Sequence, residues 1–264
     1  MNKSQELYIR LLNECSEIKE FMKKTSQYHS FLTHSAFNMQ CEEKMFECGI
    51  IPRQQYFKQI PGLENECKKC WAFYLNPRNK SIKQYDIIYG KKFEFAFLEF
   101  LNKSTIPSAK ADRKNAILPD NLIFNKIGKV LAYYEVKYHN APFVWRYKYT
   151  EGRECYEGSI TMDYEKVKNQ MEKVRKLTKL PVFYLHWVDF PCIKGVFYMT
   201  LEDTQKKLKL GIEFKRKGRE GDYIISEKGK KKVGYQNKFY PSILEMKNLE
   251  HFINLLKSFD GKRT

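Results

Sequence analysis

Three charged residues interrupt two apolar segments near the middle of the chain. Asp120 stands just before the apolar run at residues 122–124, and Glu135 and Lys137 lie at the end of the run at residues 130–136. Two adjacent carboxylates disfavour each other's charge unless a cation compensates, and a hard ion such as Mg²⁺ prefers oxygen ligands. Such an ion beside an ammonium group suits the attack of water on a phosphate. The residue types therefore indicate metal-assisted chemistry on a phosphate group.

A β-hairpin would bring these three side chains together. If the turn is centred between Ile127 and Gly128, the numbers of opposed residues sum to 255, and Asp120 then lies opposite Glu135. Opposed residues of an antiparallel pair have Cβ atoms about 5 Å apart. Lys137 points to the same face as Glu135 because the two are separated by two positions on one strand. The alternative interpretation is a turn residue at Asp120 and a surface ion pair between Glu135 and Lys137.

The elements around the hairpin predict an α/β fold. The hydrophobic spacing indicates helices at residues 90–102, 163–179 and 241–257, and apolar runs indicate strands at 181–188 and 195–201. Asp163 is the expected N-cap of the second helix. The order helix, hairpin, helix, strand, strand predicts a mixed β-sheet flanked by helices. We expect residues 86–264 to form this core, with a basic C-terminal segment, and residues 1–85 to form a helical and loop-rich N-terminal lobe.

The composition favours a polyanionic partner. The 264 residues carry a formal charge of +17, and 42% of them are hydrophobic, which excludes an acidic disordered protein. No run of 18 apolar residues occurs, and the first 20 residues are interrupted by charges, so neither a membrane span nor a signal peptide is expected. No phosphate-binding glycine loop is present either, which argues against a nucleotide cofactor. We therefore expect a cytoplasmic protein.

The hairpin motif resembles that of the PD-(D/E)XK nuclease superfamily, which includes the restriction endonucleases. The resemblance rests on Pro119-Asp120, fourteen intervening residues and Glu135-Val136-Lys137, and with the flanking elements it covers residues 90 to 201. It implies a restriction-endonuclease-like fold, catalytic roles for Asp120, Glu135 and Lys137, and Mg²⁺ bound by the two acids, with Mn²⁺ as a substitute.

In this family the helix before the hairpin often supplies a further acid, and here the candidates are Glu94 and Glu99. At about 100° per residue, Glu94 falls on the apolar face of the helix and Glu99 falls beside Lys92 on the polar side. Glu94 is therefore the expected catalytic acid.

The resemblance also implies a prokaryotic type II restriction enzyme that hydrolyses double-stranded DNA at a specific short sequence. Cutting both strands of a symmetric site needs two active sites, so a homodimer is expected. A repair or nicking nuclease of the same fold would carry the same residues. A non-catalytic or zinc-stapled protein that binds DNA or RNA is the alternative from another class.

Two basic segments are candidate DNA contacts. The first contributes Arg146, Lys148 and Arg153, which alternate with aromatic residues, and the second is the run Lys215-Arg216-Lys217. Lysine and arginine in such segments contact phosphates, although a solvated loop is the other interpretation of the second segment. We expect His139 to neighbour the site without acting as its base, and Gln170 to be a helix-surface residue.

A cysteine cluster indicates either structural zinc or buried thiols. Cys67 and Cys70 have the two-residue spacing of a zinc knuckle, and Cys48 with a fourth ligand such as His34 would complete the set. Cys41 is excluded if residues 41–48 are helical, because it would then lie about 10 Å from Cys48. Such a zinc ion would staple residues 41–70 and take no part in catalysis.

Overall fold

A six-stranded mixed β-sheet flanked by helices is the centre of the protein. The computed structural model describes residues 2–24, 58, 61–62, 64–65, 83–112, 118–139, 159–190, 193–209, 214–216, 223–226, 229–232 and 236–261. The helices are α1 (Lys3–Asn13), α2 (Ser16–Lys24), α3 (Lys83–Lys103), α4 (Tyr164–Leu177), α5 (Leu201–Lys209) and α6 (Leu249–Gly261). The strands are β1 (Ser108–Lys110), β2 (Asn121–Phe124), β3 (Val130–His139), β4 (Met162–Asp163), β5 (Val182–Asp189), β6 (Lys194–Thr200), β7 (Phe214–Arg216), β8 (Tyr223–Ser226), β9 (Gly229–Lys232), β10 (Gln236–Phe239) and β11 (Lys247–Asn248).

The main sheet has the strand order β1-β2-β3-β5-β6-β11. Strands β3 and β5 are parallel and connect through α4, whereas the other neighbours pair antiparallel. Every residue of β5 is buried, because this strand lies in the interior of the sheet and both of its faces are covered. The predicted mixed sheet with flanking helices is confirmed. Two smaller sheets contain β4, β10 and β7, and β8 with β9.

The β2–β3 hairpin has the predicted register. Asn121 pairs with Tyr134, and the next two pairs also sum to 255, before a bulge near the turn shifts the register by one. Asn125 closes the turn, since its side-chain oxygen accepts hydrogen bonds from two backbone N–H groups of the loop. Gly128 has a φ of 81°, a conformation that glycine adopts without steric cost. The sequence pattern and the turn chemistry therefore act together to set this register.

Two hydrophobic cores lie on the two faces of the sheet. One contains side chains of α1, α2, α3 and α6, and the other contains Val167, Met171 and Val174 of α4 together with residues of α5 and β10. Leu11 of α1 and Trp187 of β5 belong to the same core, and the Trp187 indole donates a hydrogen bond to the Tyr8 hydroxyl. The N-terminal helices are thus packed on the sheet. The division of the chain near residue 85 remains a prediction.

Several predicted element boundaries were wrong. Helix α3 begins at Lys83, seven residues before the predicted start. The helical pattern at residues 241–257 contains a short 3₁₀ helix and β11 before α6 begins at Leu249, because β11 pairs with β6 and interrupts the helix. Asp163 occupies the N-cap position of α4, but its side chain makes no capping hydrogen bond and instead pairs with Lys238.

Among the described residues, no helix combines the length and the apolar character that crossing a membrane requires.

Candidate active site

Glu135 is the centre of a polar cluster between the sheet and α4. Its side chain is buried, and Oε1 lies 3.1 Å from Lys166 Nζ and 3.6 Å from Lys137 Nζ. Oε2 accepts a hydrogen bond of 3.2 Å from Gln170 Nε2. Lys166 and Gln170 are four positions apart on α4, so both side chains project from one side of the helix toward Glu135. Both carboxylate oxygens are therefore engaged by protein donors.

These contacts keep the buried carboxylate ionised. Burial by itself would raise the pKa of Glu135, but the charges of Lys137 and Lys166 and the hydrogen bond from Gln170 lower the pKa to about 2. The charge of Glu135 in turn raises the pKa of Lys166. Burial lowers the pKa of Lys137, and the adjacent Glu135 partly offsets this effect. Lys137 is thus an ammonium group held in a largely desolvated position.

Asp120 lies at the end of β2, one position before the pair Asn121 and Tyr134, and therefore opposite Glu135. Its backbone oxygen accepts a hydrogen bond of 2.9 Å from the Ala111 N–H, which ties this residue to the end of β1. The Asp120 side chain is exposed. The pKa of Asp120 is raised most by partial desolvation and further by the negative charges of Glu135 and Glu94. The three carboxylates therefore act electrostatically on one another.

Glu94 approaches the hairpin from α3. Its Oε1 atom accepts a hydrogen bond of 2.7 Å from Asn121 Nδ2 and lies 2.6 Å from Lys110 Nζ on β1. Asn121 is fully buried, and among the described residues its Oδ1 atom has no hydrogen-bond partner. An unsatisfied buried acceptor is unfavourable unless a cation or water meets it. Glu94 thus faces the hairpin, and its catalytic role stays a prediction.

A histidine pair follows Lys137 on the same sheet face. His139 Nε2 and His186 Nδ1 are 3.1 Å apart, and His186 pairs with Lys137 in the β3–β5 register. Burial and the nearby Lys137 charge lower the pKa of His139 to about 3. Burial, with the charges of His139 and Lys137, also lowers the pKa of His186 well below its usual value. Both rings are therefore neutral at physiological pH.

Two carboxylates are available to a hard divalent cation at this end of the hairpin. Asp120 and Glu135 supply the oxygens, whereas Asn121 points to the other face of the sheet, where it bonds Glu94. Mg²⁺ is commonly held by one or two carboxylates and keeps several waters. Among the residues that the structure describes, no group of three histidine, cysteine, aspartate or glutamate residues is arranged to hold a metal ion. A cation here would therefore depend on two carboxylates and on water.

Sequence reasoning missed Lys110, Asn121, Lys166 and Gln170. Gln170 was assigned to the helix surface, but it bonds both Glu135 and the Tyr184 hydroxyl. The four-residue spacing of Lys166 and Gln170 indicates that the two side chains share one side of a helix. Only the packing of α4 shows that this side faces Glu135.

Most of the other predicted site residues lie outside the described part of the chain. The predicted DNA contacts Arg146, Lys148, Arg153 and Lys217 and the predicted zinc ligands Cys48, Cys67 and Cys70 lie outside the described residues. Lys215 and Arg216 are in β7, which pairs with β10.

Comparison of the sequence with protein-family models finds no match. Comparison with curated proteins finds no significant similarity.

Proposed function

We propose that the protein is a Mg²⁺-dependent endonuclease of the PD-(D/E)XK type that hydrolyses double-stranded DNA at a specific short sequence. The observation that carries this proposal is the arrangement of Asp120 opposite Glu135, with Lys137 two positions further along the strand. Glu94 on the packed helix adds a third carboxylate to the same end of the hairpin. This combination suits hydrolysis of a phosphodiester better than it suits a purely structural ion pair, because Asp120 stays exposed to a ligand.

Each side chain has a defined task in the proposed reaction. Asp120 and Glu135 would hold the divalent cation, which when bound supplies charge stabilisation on the phosphate and a more acidic water. Lys137 is positioned by its contact with Glu135 to neutralise a non-bridging phosphate oxygen or to polarise the attacking water. Gln170 fixes the orientation of Glu135 through Oε2, and Glu94 fixes Asn121. The products would be a 5′-phosphate and a 3′-hydroxyl.

The charge of the chain supports DNA as the substrate. The formal charge is +17, and residues 206–238 contain 12 lysines or arginines against 4 acidic residues. A duplex with one negative charge per about 1.7 Å of axis attracts a positively charged protein without regard to sequence. Two copies of the chain would be required to cut both strands of a symmetric site.

A digest of unmethylated phage DNA tests the proposal. Purified protein with Mg²⁺ should produce discrete bands, and EDTA should abolish them. The Asp120→Asn and Lys137→Met variants should lose at least about 100-fold in cleavage rate, the scale seen when a group that stabilises the transition state is removed. Both variants should still shift a labelled duplex in a gel when Ca²⁺ replaces Mg²⁺.

The matched control is Lys129→Met, because Lys129 is an exposed lysine at the turn of the same hairpin. This variant should cut like the unaltered protein. Cleavage by Asp120→Asn at the unaltered rate would place the chemistry elsewhere and refute the assigned roles. A smear without discrete bands would indicate a non-specific or repair nuclease of the same fold.

The competing function is binding of nucleic acid without cleavage. The observation that favours it is the complete engagement of both Glu135 oxygens by Lys137, Lys166 and Gln170. It predicts DNA retention in a gel-shift assay that does not depend on divalent ions, with intact DNA in the presence of Mg²⁺ or Mn²⁺.

A further inference from the structure

Lys166 brings a second ammonium group to the buried glutamate. Its Nζ atom lies 3.1 Å from Glu135 Oε1, the oxygen that also faces Lys137 Nζ at 3.6 Å. The two lysines differ in environment, since the Lys166 side chain is 57% exposed and the Lys137 side chain is 18% exposed. Lys166 reaches Glu135 from α4 with its side chain partly in solvent, whereas Lys137 belongs to strand β3 of the sheet.

The described site is electrically balanced. The carboxylates of Glu94, Asp120 and Glu135 are matched by three ammonium groups, those of Lys110, Lys137 and Lys166. A divalent cation held by Asp120 and Glu135 would introduce two further positive charges beside the ammonium groups of Lys137 and Lys166. The repulsion is smallest if one ammonium leaves, and an exposed side chain on a long flexible stem is the one that moves at least cost.

We propose that the Lys166 ammonium is the resident counter-ion of this acidic site and that a divalent cation competes with it for Glu135. The inference rests on the proposed metal-dependent function and extends it to the regulation of metal binding. Cation binding would release Lys166 from Glu135 Oε1 and leave its ammonium at the rim of the site, where a DNA phosphate can bind it. Metal affinity is then low in the free protein and rises when a phosphate accepts the displaced lysine.

The electrostatic environment of Lys166 also supports a cation at the position of its ammonium. The charges of Asp120 and Glu94, in addition to that of Glu135, stabilise the charged form of Lys166, so the fields of all three carboxylates overlap there.

Titration of the DNA-free protein with Mn²⁺ by isothermal calorimetry tests this inference. The Lys166→Met and Lys166→Gln variants should bind Mn²⁺ about tenfold more tightly than the unaltered protein, the scale expected when one like charge is removed from beside a divalent ion in a partly solvated site. Lys166→Arg keeps the charge and should leave the affinity close to that of the unaltered protein. Glu135→Gln should weaken binding at least about tenfold, which assigns the titrated ion to this site.

Lys168→Met is the matched control. Lys168 is an exposed lysine on the same helix, and it lies about 200° around the helix axis from Lys166. This variant loses the same net charge away from Glu135, so its Mn²⁺ affinity should stay unchanged. Circular dichroism and thermal unfolding of each variant verify that the fold persists.

Two results would overturn the inference in distinguishable ways. If Glu135→Gln abolishes Mn²⁺ binding while both neutral Lys166 variants keep the affinity of the unaltered protein or bind more weakly, Lys166 does not compete with the cation, and the metal-dependent function stands. If neither the unaltered protein nor any variant binds Mn²⁺, the inference and the proposed metal dependence fail together.

Discussion

Replacement of Glu135 by glutamine tests the electrostatics of the site without any assumption about DNA. The amide keeps the size of the side chain and can still accept a hydrogen bond from Gln170, but it removes the charge that faces Lys137 and Lys166. Lys137 is largely buried and would remain without its carboxylate. Loss of one partner of a buried ion pair is strongly destabilising because the other charge stays desolvated.

The size of the effect follows from the pKa of Glu135. A pKa held at about 2 instead of the ordinary 4.5 corresponds to about 3 kcal/mol of stability at pH 7. Because the folded-state pKa lies below the unfolded-state value, this contribution is fully present above pH 4.5 and is lost as the pH falls toward 2. At pH 3.5 about 2 kcal/mol of it should remain.

Urea unfolding at pH 7 and pH 3.5 measures both quantities. Glu135→Gln should reduce the free energy of unfolding by about 3 kcal/mol at pH 7 and by less at pH 3.5. Glu172→Gln, which alters an exposed glutamate on α4, should change the free energy by no more than about 0.5 kcal/mol. A loss below about 1 kcal/mol at pH 7, or a loss that does not depend on pH, would refute the assignment of Glu135 as a buried charge held by two lysines.

Three other features give separate predictions. Asp189 and Lys194 form a buried ion pair of 2.5 Å, so Asp189→Asn should destabilise the fold by about 3–5 kcal/mol, and the double variant Asp189→Leu with Lys194→Met should recover most of that loss in urea unfolding. The low pKa values of His139 and His186 mean that both rings contribute stability above pH 6.5 that is lost as the pH falls; His186→Gln should therefore flatten thermal stability between pH 6.5 and 5, and an unchanged pH dependence would contradict this role. Gln170→Leu should raise the pKa of the buried site glutamate and cost about 1 kcal/mol, and unchanged acid unfolding would contradict the role of this amide.

The sequence alone was sufficient to predict the hairpin, its register and the mixed sheet. Alternation of apolar residues decides which face of a strand is buried, and a register error of one residue would turn Asp120 and Glu135 to the wrong faces. These constraints act within a single segment of the chain, so the sequence of that segment is enough to predict which residues face the core. The preference for Glu94 over Glu99 has the same origin, because the helical period assigns each residue to one face.

The partners of Glu135 depended on tertiary structure. Lys166 and Gln170 are about 30 residues away in the chain, and only the packing of α4 through Val167 and Met171 against the sheet brings them to Glu135. A charged residue on an amphipathic helix has the same sequence signature whether it faces solvent or a buried carboxylate.

The N-cap of α4 also shows that sequence alone does not predict long-range side-chain contacts. Asp163 has the residue type and position of an N-cap, yet its side chain pairs with Lys238 from another sheet, a contact that no local pattern encodes. The sequence therefore determined which side chains share the hairpin, because strand periodicity is local. Only the fold decided which charges compensate them, because that depends on how distant helices and strands pack.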